Sequence, residues 1–139
     1  MVVIDLLSKM RFGDSGDYGQ VGKRFKDFVN EFHNEENISI DIGVILYAFR
    51  NALHHSFNMA TNVRLGDVDA YNFCLISAPS DQRLLSVNSN VVKINFNALE
   101  VFVNNLIESY KTHILHCEND AECDKFSVML QKYGIMRIG

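Results

Sequence analysis

Ile40-Asp41-Ile42-Gly43-Val44-Ile45-Leu46-Tyr47-Ala48-Phe49-Arg50-Asn51-Ala52-Leu53-His54-His55 is the stretch on which the architecture turns. At about 100° per residue its aliphatic and aromatic side chains fall nearly all round a helix. A helix on the rim of a bundle shows one apolar stripe and one polar face, whereas a helix that is apolar on every side needs neighbours on every side. Residues 40 to about 55 are therefore expected to form the central helix. Ser39 is placed to cap it, and Asp41 in its first turn suits the positive end of the dipole.

Working outward toward the N-terminus, Val21, Phe25, Phe28 and Phe32 recur at intervals of four, three and four, the stripe of an amphipathic helix over about 20–33. Lys23, Arg24, Lys26, Asp27 and Glu31 are read as its solvated face. Residues 2–10 read as a short helix ended by Gly13, and Gly13 to Gly19 as a loop; no strand precedes these glycines and no well-placed lysine follows, so they are not a nucleotide fingerprint. Toward the C-terminus, about residues 62–96 carry Asp, Asn, Gly and the single proline, Pro79, between short β-prone runs. Tyr71–Ile76 and Val91–Phe96 read as strands paired antiparallel over one end of the bundle. Asn97 with Glu100 then opens a long helix carrying Leu99, Phe102, Val103, Leu106, Ile107, Tyr110 and Ile114, and Asp120 caps a last helix that Gly134 stops. The fold class is mainly α: a four- to five-helix bundle with a small antiparallel β insertion, in one domain over 1–139.

Composition limits the functions. Hydrophobic residues make up 47% of the 139 and include 10 Phe and 5 Tyr, too much apolar matter for a disordered chain. The net charge of −4 excludes a protein that coats nucleic acid nonspecifically, so any such contact is local. Three cysteines at irregular spacing, Cys74, Cys117 and Cys123, fit a reducing cytoplasm better than a disulfide framework. No signal sequence and no membrane-spanning run is legible.

The chemistry concentrates at the end of the central helix. Asn51 and His55 stack four apart on one face, with Arg50 and His54 as a second pair beside them. A guanidinium grips phosphate oxygens in a fixed fork and an imidazole exchanges protons near neutral pH, so together they can hold and cleave a phosphodiester without a metal. RNA supplies its own nucleophile, the 2′-hydroxyl. The other reading is electrostatic: cations in the last turn of a helix favour the negative end of its dipole.

The run Arg50-Asn51-Ala52-Leu53-His54-His55 resembles the signature of the HEPN superfamily, in which an Arg, commonly followed by Asn, Asp or His, precedes a His after four to six residues. Arg50 and His55 meet that spacing, and His54 is a neighbour. By pattern the resemblance covers about residues 20–133; the acidic balance and the β segment depart from the family's minimal bundle. It implies a helical homodimer whose two motifs face one cleft, and a metal-independent endoribonuclease of a toxin, antiphage or RNA-processing system. His55 is then the general acid or base, Arg50 the stabiliser of phosphoryl charge and Asn51 an orienting group, with His54, Lys23 and Arg24 as substrate-binding candidates. RNA is the expected substrate, and an antitoxin-like protein a further partner. Other HEPN proteins only bind nucleotides or proteins, and a non-catalytic module of that kind is the alternative.

His113, His116, Cys117 and Cys123 are ligand types for zinc, but their spacing matches no standard pattern. They are read as a helix end with solvated histidines, and no metal or cofactor is expected.

Overall fold

The structure, a computed structural model, describes residues 1–14, 16, 19–36, 40–55 and 72–134, with the side chain of His55 outside that set. Among these residues five helices and three strands follow in the order α1 (Val2–Phe12), α2 (Gln20–Phe32), α3 (Ile42–His55), β1 (Asn72–Ile76), β2 (Leu85–Asn88), β3 (Val91–Asn95), α4 (Phe96–Leu115) and α5 (Asp120–Tyr133). The chain is mainly α with a small β insertion. Among the described residues no helix is long and apolar enough to cross a membrane.

The central helix is covered on two sides, which explains its composition. Ile42 and Leu46 join Ile4, Phe25, Phe28, Val29, Phe102, Leu106 and Tyr110 in the core between the helices. Ile45, Ala48, Phe49 and Ala52 face the sheet residues Phe73, Val92 and Ile94 in a second core. Burying each of the Val, Leu, Ile and Phe side chains among them contributes about 1.5–3 kcal/mol. Two glycines let α2 and α3 approach closely. A Cβ on Gly43 would stand 2.7 Å from the Lys26 carbonyl oxygen, and one on Gly22 would stand 2.8 Å from the Tyr47 ring.

The stripe on α2 buries Phe25, Phe28 and Phe32, but Val21, in the first turn, is 41% exposed. Arg24, read as solvated, is 6% exposed. It lies four residues before Phe28, about 40° round the helix, and so on the flank of the buried stripe.

Asp41 caps α3, its Oδ1 accepting from the Val44 N–H at 2.9 Å and from Asn30 Nδ2 at 3.0 Å; Ser39 lies outside the described residues. The caps of α4 and α5 sit one or two residues earlier than their spacing suggests. Asn95 Oδ1 accepts from the Asn97 N–H, and Asn119 Oδ1 accepts from the Glu122 N–H. Phe96 consequently opens α4, 55% exposed, instead of ending a strand. Gly134 does terminate α5.

The sheet is mixed, in the order β1-β3-β2. β1 and β3, expected antiparallel, run parallel in the register Asn72 with Val91 to Ile76 with Asn95. The physical reason is an intervening strand: β2 pairs antiparallel with β3 through a tight turn at Ser89, whose φ is 53°. With β2 on one edge of β3, β1 takes the other edge and runs the same way. The sheet lies along the flank of α3, and Asn95 joins it to α4 and to the loop before β2. The Asn95 side chain, 2% exposed, donates to the Ala78 and Asp81 carbonyls at 2.9 and 2.6 Å and accepts from the Ala78 N–H at 3.2 Å.

Candidate functional site around Arg50

Arg50 leaves the last part of α3 between its two apolar faces and turns toward α1. Asp5 receives it there. Asp5 stands in the first turn of α1, where a carboxylate favours the dipole. Arg50 Nε donates to Asp5 Oδ2 at 3.1 Å, and Nη1 donates to Asn51 Oδ1 at 2.9 Å. The guanidinium carbon lies 5.8 Å from the centroid of the Tyr47 ring, one turn back on the same helix. Both charged side chains are about one-fifth exposed, 21% for Arg50 and 20% for Asp5. Such a partly solvated pair fixes geometry more than it stabilises, contributing about 0–1 kcal/mol. Asp5 Oδ1 is buried with no hydrogen-bond partner among the described residues.

Two hollows share this ion pair. One, of about 260 Å³, is lined by Asp5, Ser8, Lys9, Val21, Arg24 and Arg50. The other, of about 230 Å³, is lined by Met1, Val2, Asp5, Arg50, Leu53 and His54. Both fall below the roughly 300–1,000 Å³ of sites that enclose a drug-sized ligand. The first hollow is lined by three cationic side chains, Lys9, Arg24 and Arg50, and by the carboxylate of Asp5.

The structure thus brings Arg50, Asn51 and Arg24 together and places His54 on the adjoining hollow. Lys23 stands apart from both hollows: its side chain is 67% exposed and pairs with Asp27 one turn on. The side chain of His55 lies outside the described residues. Asp5, Ser8 and Lys9 join the site without having been singled out from sequence. Their signal was present, because Asp5 is the lone charge interrupting the apolar run Val2–Leu7, and Ser8 and Lys9 follow it at helical spacing.

The second group of candidates also gathers. His113, in the last turn of α4, meets Glu122, in the first turn of α5, and Cys117 and Cys123 flank the junction. The three cysteines are free thiols.

No protein-family model, curated protein or solved structure matches the chain.

Proposed function

We propose that the chain is a metal-independent endoribonuclease of the HEPN type, acting as a homodimer, with the cationic hollow beside Arg50 receiving a phosphodiester of RNA. The observation that carries this reading is the gathering of Lys9, Arg24 and Arg50 round one small hollow, cationic N–H donors of the kind that bind phosphate oxygens. Arg50, steadied by Asp5 and Asn51, offers a planar fork to the oxygens on phosphorus, where charge grows in the transition state. His55 takes the proton of the 2′-hydroxyl or delivers one to the departing 5′-oxygen. The 2′-oxygen bonds to phosphorus as the 5′-oxygen leaves, and the products are a 2′,3′-cyclic phosphate and a 5′-hydroxyl. Each protomer supplies one set of these groups to a shared cleft.

A second reading is a non-catalytic module of the same type that binds a nucleotide or a protein partner of antitoxin kind. The internal engagement of Arg50 by Asp5 and Asn51 favours it, since a guanidinium already held can bind a phosphate without taking part in chemistry.

Structured RNA incubated with the protein in EDTA separates the two. Cleavage to cyclic-phosphate ends, lost in Arg50→Ala and in His55→Ala while helical content is kept, supports the nuclease. RNA or nucleotide binding that depends on Arg50 without cleavage supports the module. Cleavage unchanged in both variants, or no binding at all, refutes the assignment of this site.

A further inference from the structure

We infer that the junction between α4 and α5 is a zinc site, with His113, Cys117 and Glu122 as its ligands and a water in the fourth position. An imidazole nitrogen, a thiol sulfur and a carboxylate oxygen from these residues all lie within 4.8 Å of one another. Nitrogen, sulfur and oxygen donors are the usual set for zinc. Metal–ligand lengths of roughly 2.0–2.3 Å place tetrahedral donors about 3.3–3.8 Å apart, so the widest donor separation closes by at most about 1 Å while His113 Nε2 and Glu122 Oε1, now 2.5 Å apart, part by about 1 Å to admit the ion, both within the reach of side-chain rotation.

The donors are held before any ion arrives. The His113 ring packs edge-on against Phe32 at 5.2 Å and stacks on Tyr110 at 6.3 Å between centroids. Glu122 Oε1 accepts from Arg11 Nη1 at 3.1 Å and lies 2.5 Å from His113 Nε2. Arg11 is then the outer partner that orients a ligating carboxylate. Cys117 lies just past the end of α4, and its thiol donates forward to the Asn119 carbonyl at 3.7 Å. A hollow of about 800 Å³, lined by Thr112, His113, His116, Cys117, Glu118, Asn119 and Glu122, opens onto the group and supplies both an entry path and the water.

The sequence hid this site because the third ligand is neither His nor Cys. Glu122 is carried into place by the cap at Asn119, which starts α5 immediately after the turn. Binding expels the Cys117 thiol proton to solvent, and the His113 proton resides on the ring nitrogen that does not face the ion. The ion ties the end of α4 to the start of α5.

Protein purified without a histidine tag, stripped with a chelator and titrated with Co²⁺ provides the test. The expected result is one equivalent bound, a thiolate-to-cobalt charge-transfer band, and its displacement by one equivalent of Zn²⁺. Cys117→Ser removes the band and Cys74→Ser, remote on β1, keeps it. His113→Ala and Glu122→Gln weaken cobalt binding by about tenfold or more. Zinc raises the melting temperature of the native chain and leaves that of Cys117→Ser unchanged. Cys117→Ser exchanges one half-buried atom, so its folding is secure. Binding below one equivalent, absence of the band, or a band that survives Cys117→Ser overturns the inference.

Discussion

Arg50 on α3 and Asp5 on α1 are 45 residues apart in sequence and 3.1 Å apart in space, Nε to Oδ2. The contact makes the first helix a wall of the site and sets the charge that a phosphate would meet. Asp5 sets one negative charge against the Arg50 guanidinium and holds it in place on that side of the hollow.

Asp5→Asn keeps the volume and removes the charge. Losing one negative charge about 5 Å from a bound phosphate, at an effective dielectric between those of surface and water, favours binding on the order of 1 kcal/mol, or about fivefold. Titration of a short labelled RNA at low salt measures this. Weaker binding by Asp5→Asn than by the native chain contradicts the placement of phosphate in the hollow. The stability change stays within about 1 kcal/mol, as for other partly exposed pairs.

Neighbouring residues on α2 separate solvation from burial. Arg24→Ala removes a side chain that is 6% exposed and destabilises by about 1–3 kcal/mol through lost packing and unpaired neighbours. Lys23→Ala, on the solvent side, changes stability by less than about 0.5 kcal/mol. Urea midpoints of the two variants decide the point, and equal values count against it.

Asn95 spends both ends of its amide on backbone groups from two segments. Asn95→Ala leaves the Ala78 and Asp81 carbonyls and two N–H groups without that partner. The loss of a cap and of buried hydrogen bonds together costs about 2–3 kcal/mol. A thermal scan reads this as a clear fall in Tm, and an unchanged Tm removes Asn95 from its proposed place as the joint between sheet and α4.

Glu122 carries a pH dependence whose sign follows from its surroundings. Burial pushes its carboxyl up, but the hydrogen bond from His113 and the charge of Arg11 more than offset this and hold it below its ordinary 4.5. The unfolded chain therefore takes up this proton first on acidification, and the stabilisation is complete above about pH 4.5 and is lost as pH falls through the lower folded value. In chelator-treated protein the difference in urea midpoint between native and Glu122→Gln narrows below pH 4.5. A difference constant from pH 7 to pH 3 excludes the network as its source.

The helices were legible because each carries its own apolar period. Phe25, Phe28 and Phe32 are buried at the spacing that marks them, and the all-round apolar character of residues 42–53 reflects the two cores on either side. The solvated reading of Arg24 gave its charge more weight than its angle, although its position on the helix already placed it beside Phe28. The parallel pairing of β1 with β3 was hidden because β2, Leu85–Asn88, is four residues long and half polar. Of the candidate site, Arg50 and Asn51 were legible as polar residues on an apolar helix. Asp5 and Glu122 were not, because each acquires its role only when a distant helix is brought alongside.

The strand order has a consequence for how the molecule assembles. β2 and β3 are neighbours in sequence, and a hairpin of that kind closes in about 1–10 μs. β1 can add its parallel ladder only once the chain has looped past that hairpin, so its loop-closure entropy is lost before any contact repays it. It is therefore the last strand to zip and the first to peel. In hydrogen exchange, the backbone amides that hold β1 to β3 trade their protons before those that hold β2 to β3.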